Sequence, residues 1–137
     1  MATILKISEA TTLALHAMIY IAANPEQPVS TAKIAKRFNV SAAHLSKVMQ
    51  RLTHVGLLKS LRGPSGGFLL LKPANEVTLL DIYEVIEGPV PTSTCLLETP
   101  ACSGDVCVIS SLLKNIQKEV NKYLKKTTID KQAKVFK

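Results

Sequence analysis

Apolar residues recur with a helical period in five places along this chain, interrupted once by two short runs that read as strands. Residues 8–23 predict a first helix, with Leu13, Ala14, Ala17, Met18, Ile21 and Ala22 on one broad apolar face. Ser8 is suited to cap it, and Glu9 stands in the first turn, where the backbone dipole favours an acid. Asn24-Pro25 ends it, because the residue before proline is pushed out of the helical region. Pro28-Val29-Ser30 leads into a short second helix, with Ser30 or Thr31 as cap and Ile34, Ala35 and Phe38 directed inward. Asn39, a residue that tolerates left-handed backbone, marks a turn. Ser41 caps a third helix with Leu45, Val48, Met49 and Leu52 on its apolar face. Its other face offers Ala42, Ala43, His44, Ser46, Lys47, Gln50 and Arg51.

Gly56 ends that helical region. Leu57 to Leu61 reads as a strand, Arg62-Gly63-Pro64-Ser65-Gly66-Gly67 as a tight loop, and Phe68 to Leu71 as the returning strand. A short helix, a tight turn and a longer capped helix make a helix-turn-helix pattern. A glycine-tipped basic hairpin directly after it is how a winged helix grips double-stranded DNA, one element in the major groove and the other along the backbone or minor groove. The expected fold is therefore mainly α with a small β-hairpin wing: a winged helix-turn-helix domain over residues 1–87. Thr78 caps the fourth helix, and Gly88-Pro89 ends it. A loop over residues 88–104 follows, then a long helix from about Asp105 to residue 127. Its stripe of Val108, Ile109, Leu112, Leu113, Ile116, Val120 and Leu124 needs a cover. A second copy of the chain is a natural one, making this a dimerisation helix, and packing against the chain's own first helix is the other. Residues 128–137 are basic and read as a frayed, mobile tail.

Charge sharpens this picture. The chain of 137 residues carries a net charge of +7, distributed unevenly. Between Glu26 and Glu76 there is no acid, while Lys33, Lys36, Arg37, Lys47, Arg51, Lys59, Arg62 and Lys72 all fall there. That is the footprint of a polyanion-binding face. At 47% hydrophobic the chain can bury a core, yet no apolar run approaches the roughly 20 residues that span a bilayer. With no leader pattern either, a cytoplasmic protein that does not engage membranes is expected. Enzyme signatures are missing: there is no phosphate loop with lysine, no Gly-x-Ser-x-Gly and no His-Glu-x-x-His.

Cys95, Cys102 and Cys107 are the three cysteines, all within 13 residues. An odd number excludes a complete set of intrachain disulfides, and the compartment favours metal or redox chemistry over a disulfide scaffold. Reduced thiols or a disulfide-forming redox pair are the alternatives.

Taken together, ALHAMIYIA in the first helix, Ile34-Ala35 and Val40-Ser41 around the turn, Leu45, Leu52 and Gly56-Leu57-Leu58, the run Arg62-Gly63-Pro64-Ser65-Gly66-Gly67-Phe68, and Leu79-Leu80-Asp81-Ile82 resemble the Rrf-two family of winged helix-turn-helix transcription regulators. The likeness covers nearly the whole chain, and the wing motif is specific. It implies a homodimer on a partly palindromic operator, with the C-terminal helices crossing at the interface. Carried over by position, Ser41, Ala43, His44, Ser46 and Lys47 would face the major groove, and Arg62 with Gly63, Gly66 and Gly67 the minor groove. Arg51 and Ser65 complete the expected DNA-contacting set. Position 44 is often Tyr in the family and position 46 often Glu. His44 and Ser46 therefore point to a different operator, since Glu can accept from cytosine and Ser discriminates less.

Many members of that family hold an iron–sulfur cluster on three cysteines between the fourth helix and the dimer helix. Cys95, Cys102 and Cys107 match by location, and thiolates are the ligands such clusters take. The resemblance implies a cluster of the 2Fe–2S or 4Fe–4S type. Where some members place a fourth-ligand His, this chain has Ser110, and where others place a carboxylate it has Thr12. His16, one turn on, matches a ligand His in a few members and is the candidate fourth ligand, with Glu9 a nearby oxygen donor. The expected function is a DNA-binding transcription regulator, a repressor whose affinity follows the cluster's redox, nitric oxide or iron–sulfur status. The alternative is a regulator of the same family without a cluster, controlled by a small molecule, thiol oxidation or a protein partner.

Overall fold

A computed structural model describes residues 5–91, 95, 97, 101 and 109–136. Helix α1 (Glu9–Ala23) runs through the middle of the fold, because its small residues let neighbours approach closely. Ala14, Ala17 and Met18 are fully buried and Ile21 nearly so. Ser8 caps it as expected, its hydroxyl accepting from the Thr11 amide. Helix α2 (Thr31–Phe38) is capped by Ser30, which accepts from the Lys33 amide. Asn39 takes the left-handed conformation at φ 54°, ψ 52° and turns the chain into α3 (Ala42–His54), capped by Ser41. Leu45, Met49 and Leu52 of α3 are fully buried against α1 and α2.

Strands β1 (Leu58–Leu61) and β2 (Gly67–Leu70) form the antiparallel wing, with Leu58 opposite Leu70 and Leu61 opposite Gly67. Each begins or ends one residue away from the sequence expectation. The wing also has a third rung: Val29 and Phe68 exchange backbone hydrogen bonds of 3.0 and 2.9 Å, tying β2 to the segment before α2. A 3₁₀ turn (Ala74–Glu76) precedes α4 (Leu79–Glu87). Thr78 caps α4 in a reciprocal box, its hydroxyl accepting from the Asp81 amide and the Asp81 carboxylate accepting from the Thr78 amide.

In the C-terminal part, the apolar stripe of α5 and the tail depart from expectation. Helix α5 spans Ser110–Lys126, with Ile109 in a non-helical cap position. Its expected start at Asp105, like Val108, lies outside the described residues. The apolar stripe of α5 is also divided. Leu113 is buried and Leu124 packs on the core, whereas Leu112 and Tyr123 stand more than half exposed on another side. Helical spacing alone cannot separate two lines that adjoin on the cylinder.

The tail, expected to be frayed, is folded. Helix α6 (Ile129–Gln132) and a 3₁₀ turn (Ala133–Phe136) lie against α1. Ile129 is fully buried and Ala133 nearly so. The segment is anchored by backbone bonds from Leu79 N to Thr127 O (2.9 Å) and from Ile129 N to Val77 O (3.0 Å). Ile129, Ala133 and Phe136 recur at helical spacing and form the buried edge. The charge of the lysines between them obscures that pattern in the sequence.

Candidate nucleic-acid interface

The N-terminal turn of α3 is the part of the helix the core leaves uncovered. Its Leu45, Val48, Met49 and Leu52 line is consumed by packing, so Ser41, Ala42, Ala43, Lys47 and Gln50 face outward. His44 and Ser46 sit half-buried at the flanks of this face. The Ser41 hydroxyl accepts from the His44 amide at 3.3 Å, so its first role is to cap the helix. His44 also has a neighbour absent from the sequence expectation. Its Nδ1 lies 3.8 Å from a carboxylate oxygen of Glu9 on α1, beyond hydrogen-bond reach but within ion-pair range when the ring is protonated. Glu9, entertained above as an oxygen donor for a metal, is thus placed beside the recognition helix.

At the wing tip, Arg62, Gly63, Pro64 and Ser65 are exposed. Gly63 has φ 104° and open space around it, a conformation that a side chain rarely adopts. Gly66 and Gly67, expected to meet DNA, have structural duties. The Gly66 amide closes the turn on the Gly63 carbonyl at 2.9 Å, and a Cβ there would run into the Leu61 carbonyl oxygen. A Cβ on Gly67 would lie 2.6 to 2.8 Å from backbone atoms of Val29 and Ser30, because the third rung of the wing passes there.

Arg51 has partners on α4 that the sequence did not signal. Its guanidinium Nη2 donates to the Val85 carbonyl at 2.8 Å and lies 3.4 Å from that of Ile86, in the last turn of α4. Arg51, placed in the expected DNA-contacting set, is thus an exposed residue with a bond inside the chain; its partners lie 34 and 35 residues away, where no local pattern could signal them.

A second polar cluster joins α1 to α4. One carboxylate oxygen of Glu87 accepts from the hydroxyls of Ser8 (2.5 Å) and Thr11 (2.8 Å), while the other is buried with no hydrogen-bond partner among the described residues. The Ser8 hydroxyl holds the Glu87 carboxyl below its usual range; burial opposes this, and the Thr11 hydroxyl and the Lys6 charge reinforce it. Burial raises the Tyr83 phenol above its usual value.

Of the candidate metal ligands, Cys95 is half-buried, and Cys102 and Cys107 lie outside the described residues. His16 is exposed on α1, its Nδ1 bonded to the Thr12 carbonyl at 2.7 Å, which leaves Nε2 as its available nitrogen. Its ring also meets Phe38 edge-on at 5.7 Å. Among the described residues no three His, Cys, Asp or Glu side chains come together as a metal site. Nor, among them, is any helix long and apolar enough to cross a membrane.

Comparison with known proteins agrees with this geometry. The regulator IscR of Pectobacterium carotovorum is 30% identical over 118 residues, covering 85% of this chain and 72% of that one. Among solved structures, CymR, the global cysteine regulator of B. subtilis, superposes with a TM-score of 0.77 at 30% identity, covering 96% of this chain and 98% of that one. The IscR of T. potens superposes at 0.74 with 27% identity, covering 96% and 88%. A family model described as an iron-dependent transcriptional regulator matches residues 7–134. With that match spanning nearly the whole winged helix, α5 and the folded tail, the chain belongs to the Rrf2 family of transcriptional regulators.

Proposed function

We propose that this regulator acts as a homodimeric repressor on a partly palindromic operator, with DNA affinity controlled by an iron–sulfur cluster on Cys95, Cys102 and Cys107. The observation that carries the DNA-binding reading is the pairing of an uncovered α3 face, with Ser41, Ala43 and Lys47 outward, and an exposed wing tip bearing Arg62 and Ser65. His44 and Ser46 flank that face and select the bases. Dimerisation uses the outward line of α5, where Leu112 and Tyr123 remain exposed beside half-buried Ile116.

Support for the cluster is the chemistry of the donors: three thiolates close in sequence, in a family described as iron-dependent. The free Nε2 of His16 suits it as the fourth ligand. When bound, such a cluster supplies a centre reactive to oxidants and nitric oxide; the protein's part is to hold the thiolates and carry their placement to α3. Anaerobic purification followed by absorption spectroscopy and iron and sulfide assay tests this. Visible absorption with both elements supports the cluster, and a colourless, iron-free sample removes it.

The second reading keeps the winged helix and replaces the cluster by thiol oxidation, a small molecule or a protein partner. The likeness to CymR, which matches this chain over 96% of its length, favours it. Serine at all three cysteines separates the cluster from a small molecule or a protein partner, since unchanged regulation supports these two; thiol oxidation is told from the cluster by the iron and sulfide assay.

A further inference from the structure

Arg51 stands one turn beyond Lys47 on the recognition helix, yet one nitrogen of its guanidinium is bonded to α4. Nη2 donates to Val85 O at 2.8 Å and approaches Ile86 O at 3.4 Å. Carbonyls in a helix's last turn lack partners within the helix, and the dipole favours a cation there. The next residue, Glu87, is held by Ser8, the cap of α1, and by Thr11 within it. Gly88 follows at φ 80° and ends α4, seven residues before Cys95 in sequence. Residues 85 to 87 are thus bonded both to the recognition helix and to the central helix, immediately before the cysteine-bearing segment. The apolar packing that otherwise holds α3 is non-directional. One guanidinium nitrogen reaching two successive helix-end carbonyls ties α3 to α4 at a set distance.

We propose that Arg51 is a positioning residue for DNA binding and not a phosphate contact: it fastens the recognition helix to the last turn of α4, so that a displacement at the start of the cysteine-bearing segment is carried to α3. The first part of this stands on the bonds alone. The second part rests on the reading that the cysteine segment controls DNA affinity.

The test uses the full-length protein and duplexes selected by it from a random pool. Binding of wild type, Arg51→Gln and Arg51→Lys is measured across a salt series, with folding checked by circular dichroism and thermal unfolding. Losing a phosphate contact lowers the salt slope by about one. Arg51→Gln is expected to weaken binding to selected duplexes about tenfold, the scale of a hydrogen bond to a charged group. The salt slope stays unchanged, and discrimination against scrambled duplexes falls. Arg51→Lys keeps the charge on a shorter side chain that falls short of the two carbonyls, and behaves the same way; it also carries the test if the Gln variant fails to fold. A slope lowered by about one in Arg51→Gln, or wild-type binding in Arg51→Lys, overturns the proposal. Serine at the three cysteines is then combined with Arg51→Lys. The affinity change it produces is expected to shrink in that background, and a change that persists in full overturns the coupling. If the serine substitutions leave wild-type affinity unchanged, the cysteine reading fails, and the coupling with it, while the salt slope still decides the role of Arg51.

Discussion

Phe136, near the end of the chain, packs edge-on against Phe38 at the end of α2, with ring centroids 5.5 Å apart. Tyr20 of α1 closes the triangle, 5.9 Å from Phe38 and 5.6 Å from Phe136, and Arg37 lies over the Phe136 ring at 5.8 Å. The segment after α5 is therefore part of the core beneath the helix-turn-helix. Ile129→Ala, which empties a fully buried site, is expected to destabilise the fold by about 2–4 kcal/mol. Phe136 is only half-buried, so Phe136→Ala is expected to be milder, about 1–3 kcal/mol. Urea unfolding measures both. Lys134→Ala on the exposed side of the same turn should fall within about 0.5 kcal/mol of wild type.

Glu87 makes stability depend on acid. Its carboxyl is held below its ordinary value of 4.5, first by the Ser8 hydroxyl. A depressed folded-state value means the charged form is the one the fold stabilises. That contribution is complete above the unfolded value and is lost as pH falls through the folded one. The thermal midpoint should therefore drop as pH is lowered below about 4.5. Glu87→Gln should lower the midpoint at neutral pH and flatten the profile in that acidic window. An unaltered acid profile in the variant would show that Glu87 is not the responsible group.

These bonds also mark the limit of what the chain discloses before it folds. The caps at Ser8, Ser30, Ser41 and Thr78 were legible, because a cap and its amide are three residues apart and the same local chemistry decides both. So was the turn at Asn39, and so was the wing, whose strands are joined by a short glycine-rich loop. Arg51, Glu87 and Glu9 were not legible. Each is a polar residue on a helix surface, and which surface meets a neighbour depends on partners 34 to 79 residues away. The tail was misread because lysines dominate its charge while three spaced apolar residues decide its packing.

Base choice should follow His44 more than any wing residue. Glu9 stands 3.8 Å from the His44 Nδ1 and biases how the ring is turned. His44→Ala is expected to relax preference at one position of each half-site, at a cost of about 1–3 kcal/mol for the preferred base. Glu9→Gln should alter that same position more weakly, because an exposed pair contributes little by itself. Selection from randomised duplexes reads both. Altered preference at an unrelated position in Glu9→Gln would separate the two residues.

Two glycines of the wing should fail differently. Gly63 has open space but φ 104°, so Gly63→Ala strains the turn and leaves its surroundings untouched. The expected cost is about 1–2 kcal/mol, confined to the tip. Gly67 combines φ 152° with the Val29 and Ser30 backbone at 2.6 to 2.8 Å from where a Cβ would stand. Gly67→Ala must therefore push β2 away and break the paired bonds between Val29 and Phe68. Amide exchange should show Val29 and Phe68 losing protection in Gly67→Ala and keeping it in Gly63→Ala. DNA affinity should fall in both, since a wing that is bent or undocked no longer presents Arg62 from the same place. Retained protection at Val29 in Gly67→Ala would show that this rung tolerates a side chain and that Gly67 serves the DNA contact directly.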